Sequence, residues 1–214
     1  VTINGRKAVL GDKVSEGDEV IVSSAKDKSG RAIATSYVYY AYNKPVGVST
    51  NPEVGCKDIL SSTKFPERVF PIGRLDKDSH GLIIMTNDGR VTDRLLSPKY
   101  DHEKEYVVQT EKEYTDRFLE NMQNGVQFDG FTSAKCKAWR ATGKKKSRDI
   151  FHIILTEGKK RQIRRMCEAL YHKVIDLQRI RVMNIELGTI KEGEFRKVTG
   201  KELETFLKSL GLVQ

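Results

Sequence analysis

From Tyr37 onward the 214-residue chain runs through short strand-like stretches at 37–42, 46–49, 81–86, 104–109, 131–139, 150–156 and 174–187, the last long enough to bend. Helical stretches fall near 89–96, 114–123, 161–170 and 200–209, at irregular places in that series. A doubly wound sheet needs strand and helix to alternate, so this order predicts an α+β fold, with a largely antiparallel mixed sheet flanked by helices. The helix limits have local causes: Pro98 stops the first, Asn124-Gly125 ends the second, and Thr199 with Glu202 stands at capping-box spacing at the start of the fourth. In the third, Ile163, Met166, Cys167 and Leu170 follow the i, i+3, i+4, i+7 rule and form one apolar stripe, which leaves Arg161, Arg164 and Arg165 off it.

The first part of the chain reads differently. Residues 1–22 carry Asn4-Gly5, a type I′ hairpin signal, and Gly17-Asp18 ahead of an apolar strand, which predicts a small β element. Residues 23–36 are small and polar with little periodicity, as a linker is. The sequence opens on Val1 rather than Met and is read as lacking its natural start. A chain of this length can bury a core without a disulfide or metal staple. The three cysteines, Cys56, Cys136 and Cys167, form no C-x-x-C, so a zinc site or disulfide framework is not expected. No apolar run reaches the length of a membrane span or signal segment, and the expected setting is cytoplasmic, with no membrane partner.

Charge narrows the partner. The formal net charge is +9, which favours nucleic acid or an anionic surface. Between Lys135 and Arg165 twelve basic residues face two acidic ones, a surplus larger than that of the whole chain. Within it the lysine run GKKKSR at 143–148 reads as a solvated hairpin tip, whereas GKKRQIRR at 158–165 leads into a helix N-terminus that already favours anions.

The stretch GRLDKDSHG at 73–81 places two carboxylates, Asp76 and Asp78, after an arginine and between glycines. It can be mistaken for a calcium loop, but position 12 of such a loop would be Asn87 and lacks the bidentate glutamate. It can also be an ordinary Asx-turn feeding a strand. The four histidines show no paired ligand spacing, and no metal site is expected.

NKPVG at 43–47, GRLDKDSHGLIIMTNDG at 73–89, EKEYVV at 103–108 and GKKRQIRRMCEAL at 158–170 together resemble, in that order, the motifs of the RsuA-type bacterial ribosomal RNA pseudouridine synthases. Residues 181–203, RVMNIELGTIKEGEFRKVTGKEL, are most similar to the F type among the enzymes of that family that modify large-subunit (23S) ribosomal RNA. The resemblance spans about residues 37–210 and implies a pseudouridine synthase catalytic domain at 37–214, needing neither cofactor nor metal. Residues 1–22 resemble the last strands of an S4 RNA-binding domain whose preceding helices are missing. Carried over, it makes Asp76 the catalytic aspartate, Arg164 the arginine paired with it, Tyr106 the ring that stacks on the target base and Ile163 an apolar wall. Arg74 would enter the RNA helix as the uridine leaves, and Lys104, Lys159, Lys160, Arg161, Gln162 and Arg165 would contact RNA. The implied substrate is 23S ribosomal RNA, with a tRNA anticodon loop open as a second, and the enzyme is taken as a monomer. A non-catalytic RNA-binding or ribosome-assembly protein would also account for the charge, and a hydrolase using Asp76 with Asp78 is a further alternative.

Overall fold

The computed structural model describes residues 1–9, 12–21, 36–52, 55–141 and 148–213. The expected linker at 23–36 and the lysine run at 143–148 lie outside them except for Ser36 and Arg148. The chain divides into two compact units, Val1–Ser36 and Tyr37–Gln214.

In the first unit, β1 (Thr2–Ile3), β2 (Arg6–Lys7) and β3 (Val20–Ile21) form an antiparallel sheet in the order β2-β1-β3. Asn4 and Gly5 have φ of 51° and 78°, the two positive values that a type I′ turn demands, and they join β1 to β2 as expected. The Asn4 amide also donates to Asp18 Oδ1 and accepts from the Glu19 N–H, each at 2.8 Å, which closes the loop before β3.

The second unit contains β4 (Tyr39–Lys44), β5 (Phe70–Ile72), β6 (His80–Thr86), β7 (Lys104–Thr110), β8 (Gln127–Phe128), β9 (Phe131–Thr132), β10 (Lys137–Arg140), β11 (Ile150–Leu155), β12 (Val174–Val182), β13 (Ile185–Glu186) and β14 (Phe195–Lys197). Its helices are α1 (Ile59–Ser62), α2 (Arg90–Leu96), α3 (Asp116–Asn124), α4 (Gln162–Ala169) and α5 (Gly200–Ser209). Nine of the strands make one sheet with the path β10-β11-β7-β12-β6-β4-β14; β5 joins at β6 and β13 at β12. Its pairings are antiparallel except β6 with β12, so the mixed α+β architecture stands as expected. Among the described residues no helix is long and apolar enough to cross a membrane.

The two-residue period of the central strands explains the layers. Every residue of β4 is buried because both faces of the sheet are covered. Tyr39 and Ala41, with Leu82 and Ile84 of β6, pack toward α2 and α5; Tyr40 and Tyr42, with Ile83 and Met85, pack on Ile59 and Phe65. A third cluster joins Phe151, Ile153 and Leu155 of β11 to α3 and to the α4 stripe, where Ile163, Met166 and Cys167 are buried and Leu170 packs alongside. Gly81 is required where β6 runs parallel to β12. At its φ of 103° a Cβ would stand 2.3 Å from the Arg179 carbonyl oxygen, closer than atoms can approach.

Several local expectations are corrected. Residues 46–49 form no strand; Ser49 makes a single bridge to Asp58. The run 131–139 splits into β9 and β10. Pro71 disguised β5, which tolerates it because it pairs with β6 alone. The capping box of α5 does not form: Thr199 makes no side-chain cap bond, and the Glu202 carboxylate instead takes both Arg196 nitrogens at 2.6 Å. A bidentate charged pair outcompetes a single bond to a backbone N–H.

Candidate active site

Three distant stretches meet at a cavity of about 230 Å³: the 73–79 loop between β5 and β6, Tyr106 in the middle of β7, and the turn leading into α4. Asp76, Arg74, Tyr106, Lys159, Lys160, Arg161, Gln162 and Ile163, all singled out from the sequence, line it. A larger cavity of about 650 Å³ shares Arg74, Tyr106 and Lys159 with it and is where Lys104 is found. Arg164 and Arg165 line neither.

The loop that carries Asp76 is held along its length. Thr50, a buried residue, accepts from the Leu75 N–H at 3.0 Å through its hydroxyl and donates to the Leu75 carbonyl at 2.8 Å. Gly47 N–H donates to the Lys77 carbonyl at 2.7 Å, and Ser79 N–H closes a turn on the Asp76 carbonyl at 3.0 Å. Fixing the flanking peptides on both sides limits where the Asp76 side chain can go. Asp76 itself is half-buried, and among the described residues its carboxylate enters no ion pair or hydrogen bond.

The expected Asp76–Arg164 pair is absent. Arg164 instead donates to the Asp78 carbonyl at 2.7 Å, the Ser79 hydroxyl at 3.3 Å and the Val174 carbonyl at 3.1 Å, and its Nε stands 3.4 Å from Asp78 Oδ2. Arg161 meets the same carboxylate with both terminal nitrogens, at 3.0 and 2.9 Å. Burial opposes ionisation of Asp78, but the Arg161 bonds and the Arg164 charge outweigh it and hold its carboxyl below the ordinary value. Arg161 and Arg164 thus grip the loop at Asp78, two residues beyond the carboxylate that Arg164 was expected to touch. Asp78, committed in this way, lines the Asp76 cavity nowhere, which deprives a two-carboxylate hydrolase of its second acid.

The helix begins one residue later than the periodicity suggested. Arg161 is its N-cap, in left-handed backbone at φ 53°, and makes no side-chain cap bond. Gln162 is buried and tied within the turn: its amide oxygen accepts from the Lys159 N–H at 2.9 Å and its amide nitrogen donates to Glu157. Arg165 turns to the Asp129 carboxylate and lies 5.0 Å over the Phe128 ring.

Sequence reasoning assigned no role to Lys44, Thr50 or Arg179. Lys44 lies at the end of a fully buried strand and donates to the Pro45 and Val48 carbonyls at 2.9 and 2.7 Å. Its ammonium is within electrostatic reach of both Asp76 and Asp78. Neither Lys44, at the end of YYAYNK, nor Thr50, in STN, carried a sequence signal for its place here. Among the described residues no group of three or more His, Cys, Asp and Glu is placed to hold a metal ion.

The family described as RNA pseudouridylate synthase matches residues 38–169. The dual-specificity RNA pseudouridine synthase RluF of Salmonella typhi is 43% identical over 213 residues, covering 97% of this chain and 70% of that protein. The ribosomal large subunit pseudouridine synthase B of Bacillus subtilis (strain 168) is 33% identical over 209 residues, covering 95% of this chain and 84% of its own. A crystal structure of a pseudouridylate synthase has the same fold, with a TM-score of 0.72 at 24% identity over 98% of this chain and 87% of the other. The F-type resemblance of the motifs is borne out by the RluF match. A family match across most of the second unit, and relatives this similar along nearly the whole length, mean that the chain belongs to the RNA pseudouridylate synthase family and is an RNA pseudouridine synthase.

Proposed function

We propose that this enzyme converts uridine to pseudouridine in folded ribosomal RNA of the large subunit, with Asp76 as its catalytic carboxylate. The reaction breaks the N1–C1′ bond, turns the uracil and joins C5 to C1′, while the C5 proton is exchanged for one on N1. No atom is gained or lost, and one carboxylate can serve. Asp76 as a carboxylate either attacks C1′ directly or removes the 2′ proton to give a glycal; both routes require a carboxylate facing the sugar.

The observation that carries this reading is the unpaired carboxylate of Asp76, half-buried in a cavity walled by the Tyr106 ring and the Ile163 side chain. Tyr106 stacks on the uracil, and Ile163 closes the apolar side. A uridine within a helix must first be extruded, which costs a few kcal/mol. Arg74, exposed and lining both cavities, fills the vacated stack and offsets part of that cost. Lys159, Lys160 and Arg161 supply phosphate contacts, and the folded RNA supplies specificity. The substrate places the enzyme in the cytoplasm, where we take it to act as a monomer without metal or cofactor. The first unit, S4-like in this reading, adds RNA contact.

The name dual-specificity borne by the RluF relatives favours a second RNA substrate, for which a tRNA anticodon loop is our candidate. The test is incubation with bulk rRNA and tRNA lacking the modification, followed by mapping of new pseudouridines as carbodiimide-dependent reverse-transcription stops. New stops are expected in large-subunit rRNA for the parent protein. Asp76→Asn should bind the same RNA and yield none; stops of equal strength from that variant would remove Asp76 from the chemistry.

A further inference from the structure

The larger cavity has an unusual wall. Lys104 and Arg179 stand on adjacent antiparallel strands, β7 and β12, where Arg179 pairs in register with Tyr106 and Lys104 with Val182. Arg179 is only 5% exposed. Cations in such positions are ordinarily paired, because desolvation costs more than a lone charge recovers. Here, among the described residues, neither enters an ion pair. Lys104 Nζ donates to the His102 carbonyl at 3.0 Å, and Arg179 Nε to the Leu82 carbonyl at 2.7 Å. The one carboxylate in the described wall, Glu157, enters no ion pair with either cation; its Oε1 accepts from the Ala134 N–H and the Gln162 amide. The two cations also oppose each other: burial, and then the charge of Arg179, push the Lys104 ammonium below its ordinary pKa. Arg74 and Lys159 bring the wall to four cations against the one carboxylate of Glu157, so positive charge remains in surplus.

Two desolvated cations without an ion-pair partner, in a wall with surplus positive charge, are relieved by an anion that enters the cavity. We infer that this cavity is a phosphodiester subsite, in which Lys104 and Arg179 hold the non-bridging oxygens of the linkage adjoining the target uridine. The inference rests on the proposed function of the smaller cavity, which shares Arg74, Tyr106 and Lys159 with this one. A nucleotide whose base reaches Tyr106 carries its own linkage into the neighbouring space. The planar guanidinium suits two oxygens at once, while the ammonium supplies a compact second charge. Arg179 thereby gains a substrate-binding role, and Lys104 a defined partner rather than a general RNA contact.

The test uses the whole protein and a stem-loop RNA that it binds, with each linkage in turn replaced by an uncharged methylphosphonate. One linkage beside the target uridine should weaken binding to the parent roughly tenfold or more, as expected for a lost charged hydrogen bond. In Lys104→Met that same replacement should cost far less, because the two losses are not additive when they remove one contact. Arg179→Lys, which keeps a charge in the core where Arg179→Met can fail to fold, should show the same reduced penalty. Equal methylphosphonate penalties in parent and variants overturn the subsite. So does a cavity that inorganic phosphate saturates while no single linkage matters, which would make it a site for a free anion. Loss of the catalytic reading is seen separately, as absence of pseudouridine in the unsubstituted RNA.

Discussion

Lys44 has no solvent exposure, yet it bears an amine whose ordinary pKa is 10.5. Burial pushes that value down to about 8, and the charges of Asp78 and Asp76 keep it from falling further. The protonated amine is therefore less favoured in the folded protein than in the unfolded chain. Below pH 8 the full penalty applies; between about 8 and 10.5 the unfolded chain binds the extra proton, so this group's contribution to stability rises with pH. Comparison with Lys44→Met isolates it from other titrating groups. The stability of the parent relative to that variant should improve by about 2 kcal/mol between pH 7 and pH 9.5, as measured by urea unfolding. A difference that stays level across that range would mean the amine reaches water. Nothing in the spacing of NKPVG foretold this burial, because a lysine at a strand end ordinarily extends its head to solvent.

At the scale of elements, α4 and the 73–79 loop show what periodicity can and cannot deliver. The i, i+3, i+4, i+7 stripe correctly placed Ile163, Met166 and Cys167 in the core and Arg164 off it. It could not say which of two carboxylates, two residues apart in GRLDKDSHG, would receive the guanidinium. That choice follows from the path of the loop, set by Thr50, Gly47 and the parallel neighbour of β6, all contacts from elsewhere in the chain. The outcome changes what Arg164 does. It is a positioning residue that fastens the Asp78 and Ser79 end of the loop, while Asp76 remains free for substrate. Arg164→Ala removes those bonds from a mostly buried site but leaves Asp78 its Arg161 partner. We expect a loss of about 1–3 kcal/mol, seen as a melting temperature on the order of 5 °C lower. Turnover should fall more than RNA affinity, because the loosened loop misplaces the carboxylate rather than the phosphate contacts. Arg164→Lys, which keeps the charge without the fork, should recover only part of both losses. Unchanged melting and turnover in the alanine variant would mean that the loop holds its shape unaided.

For the whole molecule, the sequence showed a basic segment from Lys135 to Arg165 but not how much of it would remain available. Folding brings acids from distant strands and helices against it: Glu103 to Lys137, Asp116 to Arg140, Asp78 to Arg161 and Arg164, and Asp129 to Arg165. A linear charge count therefore overstates the field near the active site, because its partners lie far away in sequence and close in space. Lys159 and Lys160 are different. They line the Asp76 cavity and enter no ion pair among the described residues; the Lys159 ammonium lies 5.1 Å over the ring of Phe131, a neighbour in the wall of the larger cavity. A cation held near a polyanion without an acid of its own is one that releases counterions on binding, whereas a paired one largely exchanges one neighbour for another. Replacing both lysines by alanine should therefore lower the slope of log affinity against log salt by about two, with binding weakened across RNA sequences alike. Arg140→Ala, which removes a cation already matched by Asp116, should leave that slope close to the parent's. Titrations at several salt concentrations separate the two; if the double alanine variant keeps the parental slope, the turn before α4 is not where the phosphates sit, and the RNA path must follow other cations.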